Sequence, residues 1–98
     1  MTNMSKTAAI KAARPMVGIS GRHTSWQITG PYDCASPDGP NTTRNADSYT
    51  RAAQCRAAWV AEIALNLMGH DMQDGDGFPL EVEAGGSVAE IVNYYASN

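Results

Sequence analysis

The chain of 98 residues is long enough for one domain with one modest core. Its apolar share of 43%, charged share of 17% and mean hydropathy of -0.34 are those of a folded globular chain, and they exclude a disordered or membrane-embedded one. The net charge of -3 conceals an asymmetry: all seven basic residues (Lys6, Lys11, Arg14, Arg22, Arg44, Arg51, Arg56) fall in positions 1–56, opposed there by Asp33, Asp38 and Asp47, whereas 57–98 holds seven acids and no Lys or Arg. Such a split points either to a charged partner or to mutual neutralisation within the fold.

The N-terminal stretch MTNMSKTAAIKAARP has no continuous apolar core of the kind a secretion signal carries. It is basic and free of acids, as transit peptides are, but lacks their run of arginines, so a cytoplasmic location is expected. Ser5 is placed to cap a short helix over 6–14 that Pro15 ends, with a face so thin in apolar residues that fraying, or an arm over 1–14, is the expectation. MVGIS and SWQITG follow as two strands, with Val17 and Ile19, then Trp26 and Ile28, alternating onto one side. Gly21 allows a tight connection, which makes an antiparallel hairpin with Arg22 and His23 at its tip. The Pro-, Asp-, Asn- and Gly-rich segment over 31–46 reads as one long irregular loop.

The strongest element is a helix over 48–68, capped by Asp47 or Ser48 and ended by Gly69. At 100° per residue, Tyr49, Ala53, Trp59, Val60, Ile63, Ala64 and Leu67 share its apolar face. Glu62 is expected away from that face, Leu65 alone among polar neighbours, and Arg56 in the middle of the apolar side. Phe78, Leu80 and Val82 then alternate as a third strand, which Pro79 restricts to a sheet edge. Ser87 and Glu90 form a capping box opening a last helix with Val88, Ile91, Val92 and Tyr95 in one stripe. The fold class is therefore α+β in a single domain, 1–98: a small antiparallel sheet, made of the N-terminal hairpin and one later edge strand. It packs against one long helix, with short helices at both ends.

No reaction motif emerges. His23, His70, Cys34 and Cys55 have no zinc spacing, and no nucleophile elbow, phosphate loop or dinucleotide fingerprint is present. No catalytic residue, cofactor or metal site is expected, and Cys34 and Cys55 are read as reduced thiols, with a bridge between them left open. The stretch GHDMQDGDGFPLEVE brings Asp74, Asp76, Gly77 and Glu83 onto calcium-loop spacing counted from Met72. Met72 offers no oxygen as first ligand and the exit is strand-like, so tight calcium binding is not expected.

Two surfaces remain. Asp71, Asp74, Asp76, Glu81 and Glu83 form an acidic patch suited to a protein or ribonucleoprotein with a basic surface. Arg56 is either a structural partner of a carboxylate such as Asp33 or Asp47, or an interface anchor beside Tyr49 and Trp59. Alternatively Lys6, Lys11, Arg14 and Arg22, with Trp26 for stacking, form a nucleic-acid-binding surface in the basic N-terminal half. In general character (short, acidic-ended, mixed α and β, without a catalytic signature) the chain resembles small proteins of phages and mobile elements that block a host machine by binding it, anti-CRISPR proteins among them. That resemblance implies a non-catalytic, inhibitory protein-binding module, with nucleic-acid binding as the alternative and no membrane partner.

Overall fold

A computed structural model describes residues 3–31, 40–70 and 87–96. Its elements run α1 (Lys6–Ala13), a 3-10 turn (Arg14–Met16), β1 (Gly18–Arg22), β2 (Ser25–Pro31), β3 (Asn41–Ala46), α2 (Tyr49–Leu67) and α3 (Val88–Ala96). The architecture is a three-stranded antiparallel sheet, a long helix and short helices near both ends, an α+β fold. Among the described residues no helix is long and apolar enough to cross a membrane.

The sheet order is β1-β2-β3. In the hairpin Ile19 faces Ile28 and Arg22 faces Ser25, which leaves His23 and Thr24 as the two-residue connection. His23 takes a left-handed φ of 56°, and the Trp26 indole N–H donates to its carbonyl at 3.0 Å, pinning the turn. Gly21 has φ 140°, and any Cβ there would collide with the Ser25 carbonyl.

The third strand is not the one expected from the sequence. The loop reading of 31–46 is corrected over its second half: Asn41–Ala46 is β3, pairing with β2 so that Trp26 faces Ala46, Ile28 faces Arg44 and Thr29 faces Thr43. Its residues alternate between exposed and half-buried, as an edge strand over a covered face does. The Thr29 and Thr43 hydroxyls meet at 3.2 Å on the outer side. The strand expected over 78–82 lies outside the described residues.

Among the described residues the helices pack on the inner face, where Val17, Ile28 and Gly30 are buried while Ser20, Arg22, Gln27, Thr43 and Asn45 are exposed outside. Helix α2 begins at Ser48, whose side chain accepts from the Arg51 N–H at 3.2 Å, and closes at Gly69 with φ 97°. Every residue from 57 to 65 is buried. The one-sided reading of this helix is thereby corrected: Leu65 and Glu62 are both wholly buried, and Tyr49, assigned to the apolar face, is 60% exposed. The sheet covers one side of α2, α1 and α3 cover its flanks, and in its first turn Tyr49, Thr50 and Arg51 stay exposed while Ala52 is buried.

The N-terminal helix is docked rather than an arm. Ser5 caps it, Ala9 and Ala13 are wholly buried against α2, and Met4 N–H donates to the Leu67 carbonyl at 3.1 Å. A thin apolar face suffices here because Ala9 and Ala13 meet an α2 surface itself rich in alanine, so the two backbones can approach closely. Lys6 reaches across to donate to the Asn93 side chain on α3. In α3 the Ser87 hydroxyl accepts from Glu90 N–H at 3.2 Å, and Val88, Ile91 and Val92 are buried.

The centre of the core is Trp59 over β2. A Cβ on Gly30 would lie 2.8 and 2.9 Å from the Trp59 ring, so the indole occupies the space that glycine leaves. Trp59→Ala, Ile63→Ala and Leu65→Ala should each lower stability by about 2–5 kcal/mol in urea melts, as core truncations do. Gly30→Ala should lose about 1–3 kcal/mol by overpacking against the indole. Tyr49→Ala should stay within about 0.5 kcal/mol of the parent. A Leu65→Ala melt indistinguishable from the parent would mean that the flank of α2 is not packed.

Candidate functional site

The part of α2 that the core leaves uncovered borders an open hollow of about 680 Å³. It is lined by the hairpin (Thr24, Ser25, Trp26), by the end of β3 (Arg44, Asn45) and by α2 (Arg51, Cys55). The register explains the convergence. Trp26 and Ala46 face one another on the inner side of the sheet, and the chain needs only Asp47 and Ser48 before α2 starts. Tyr49 therefore stands beside Trp26, ring centroids 5.0 Å apart and planes at 66°. Edge-on geometry of this kind is favourable and leaves an aromatic surface facing outward. Asp47 contacts Arg51 at 3.6 Å with both side chains 74% exposed, an ion pair worth little in water.

A second hollow, about 450 Å³, lies between the start of β1 and α2, with Arg14, Ile19, Tyr49, Arg56 and Val88 among its lining. A third, also about 450 Å³, runs along α1 past Lys6, Ile10, Lys11 and Arg14. Arg14 belongs to both of these, and Tyr49 links the second to Trp26 in the first. Six of the seven basic side chains thus line three linked hollows, with Tyr49 and Trp26 between them.

Of the residues singled out in the sequence, Lys6, Lys11 and Arg14 are brought together along α1. Arg22 stands apart, exposed at the outer side of the hairpin end, while Trp26 is half-buried in the first hollow. Arg56 does not pair with Asp47, whose partner is Arg51. Its Nε donates to the Val17 carbonyl at 3.0 Å and its Nη2 to the Arg14 carbonyl at 2.9 Å. Those carbonyls flank the place where helix gives way to strand, and the Arg14 carbonyl also takes the Val17 N–H at 3.4 Å, so the guanidinium reinforces the turn and ties the α1–β1 connection to α2. Asp33 and the five acids Asp71, Asp74, Asp76, Glu81 and Glu83 lie outside the described residues.

The sequence assigns neither Arg44 nor Arg51 to a site, and names Tyr49 only as a neighbour of Arg56. Arg44 was hidden in the segment taken for loop, although the Thr42–Thr43 pair and the alternation into Ala46 are strand signals. Cys55 is a free thiol, half-buried in the first hollow. Burial pushes its pKa up, and the nearby Arg44 charge offsets part of that rise. At neutral pH the group is a protonated thiol rather than a nucleophilic thiolate. Among the described residues no group of three or more His, Cys, Asp or Glu is placed to hold a metal ion. Comparison with protein-family models, curated proteins and solved structures finds no match to this chain.

In a Cys34→Ser background, alkylation of Cys55 by iodoacetamide at pH 8 should be slower than that of a small free thiol. Arg44→Gln should slow it further, because losing the positive charge raises the thiol pKa again. Faster alkylation of the Arg44→Gln variant would contradict this reading of the hollow's electrostatics.

Proposed function

We propose that this protein is a non-catalytic binding module whose ligand is nucleic acid. The observation that carries the reading is the series of linked hollows holding Lys6, Lys11, Arg14, Arg44, Arg51 and Arg56, with Tyr49 and Trp26 between them. Phosphate chains are held by basic side chains along a groove, and bases by aromatic faces beside it. A net charge of -3 does not oppose this, since the local distribution of charge rather than the total governs an interface.

The protein-binding reading, an acidic patch at Asp71, Asp74, Asp76, Glu81 and Glu83 meeting a basic partner, concerns residues outside those described. Salt and substitution separate the two. Labelled oligonucleotides should bind at 50 mM salt and release as salt rises. The slope of log K against log[salt] should reach about -2 to -4, with three to five phosphates neutralised. Lys11→Ala/Arg14→Ala/Arg51→Ala should weaken binding at least tenfold and flatten that slope, while Asp74→Asn/Asp76→Asn/Glu81→Gln/Glu83→Gln should not weaken it. The opposite ranking, or a protein captured from lysate that survives nuclease while oligonucleotides fail to bind, would overturn the proposal in favour of the acidic patch.

A further inference from the structure

The nucleic-acid reading leaves open whether duplex or single strand is bound, and the geometry of the first hollow bears on that choice. We infer that the ligand is a single strand: Tyr49 and Trp26 form the step on which a base stacks, and Arg44 and Arg51 hold the flanking phosphates. The inference rests on the proposed function above. Tyr49 opens α2 and is 60% exposed although its ring rests against Trp26. An exposed aromatic beside charged side chains offers a face on which an unpaired base can stack. In a duplex each base face is already covered by its neighbours.

The hollow beside this step has the size and chemistry for a nucleotide. Its volume of about 680 Å³ lies within the range that small-ligand sites occupy, about 300–1,000 Å³. Arg44 comes from the sheet side and Arg51 from the helix side. Thr24, Ser25 and Asn45 add uncharged hydrogen-bonding groups suited to sugar and base edges. A duplex is a wide, stiff cylinder whose phosphates lie on its outside, so it touches rims rather than hollows. A single strand can enter the hollow, and it can continue past Tyr49 towards Arg14 and Lys11. Trp26 is fixed for the task, its indole N–H held by the His23 carbonyl at 3.0 Å.

Asp47 gives the inference a sharper edge. It is an acid on the rim of this hollow, and it lies against Arg51 at 3.6 Å. A phosphate arriving at Arg51 must compete with that carboxylate and is repelled by it. Asp47 therefore acts as a built-in competitor, and its removal should tighten binding.

The test uses the intact chain and its own fluorescence, because Trp26 lines the hollow whereas Trp59 is wholly buried and gives a constant background. Titration at 50 mM salt with an unstructured pyrimidine octanucleotide should quench Trp26. The same protein should bind a short duplex at least tenfold more weakly. Tyr49→Ala should weaken single-strand binding about tenfold, as loss of one stacked base does. Tyr49→Phe should restore it, and Asp47→Asn should tighten it a fewfold. Circular dichroism melts of each variant verify that the fold is kept. Duplex binding as tight as single-strand binding, or Tyr49→Ala without effect on an intact complex, would overturn the stacking inference and leave the nucleic-acid reading standing. Binding of neither oligonucleotide would sink the nucleic-acid reading itself.

Discussion

The rest of the fold depends on the indole of Trp59 lying against the bare backbone of Gly30. That contact brings α2 closer to β2 than any residue with a Cβ would permit. It also fixes which strand lies under the helix, and with it the placement of the whole hairpin. Around it Ala57, Ala58, Ala61 and Ala64 keep the helix slim, so that α1 and α3 close over its flanks and the full circumference from 57 to 65 is removed from water. With so few large side chains the core gains from close approach as much as from area. It therefore has little room to absorb either a lost or an added carbon.

The same constraint decides where the site is. The sheet, α1 and α3 enclose the later turns of α2 and leave its start covered only on the side of Ala52, beside the hairpin. Tyr49, Arg51 and Cys55 are on the first two turns, and β3 delivers Arg44 to the same place. The charges there differ in what they already hold. Arg56 is engaged with the Val17 and Arg14 backbone carbonyls, and so acts as a structural tie. Among the described residues Arg51 meets an exposed carboxylate in solvent, an interaction weak enough to be exchanged for a phosphate.

The sequence made the sheet-and-helix plan readable where the signals were periodic. The hairpin alternation of Val17, Ile19, Trp26 and Ile28, the caps at Ser5, Ser48 and Ser87, and the stop at Gly69 all correspond to observed structure. The reading failed where one helix face was assumed to be the limit of burial. Eight of the nine residues from 57 to 65 are apolar, which signals a helix enclosed on every side, yet a one-sided wheel left Leu65 and Glu62 outside. It failed again at β3, because Asn41, Thr42, Thr43, Arg44 and Asn45 carry no large apolar group. An edge strand with one solvated face needs none, so composition alone could not separate it from a loop.

Those two misreadings have a common physical origin, and the candidate site is where they meet. Placing Tyr49 in the core and Arg44 in a loop hides the aromatic that packs on Trp26 of the first hollow and one of the arginines that line that hollow. A helical wheel assigns every apolar residue to burial, so it misses an aromatic that continues the stripe past the edge of the covering sheet. Such a residue keeps the periodicity of the core without its neighbours. Tyr49 does so at the first position of α2, where its ring can rest on Trp26 and still present a surface to solvent. An aromatic in that position contributes little to folding and is therefore free to be chosen for what it binds.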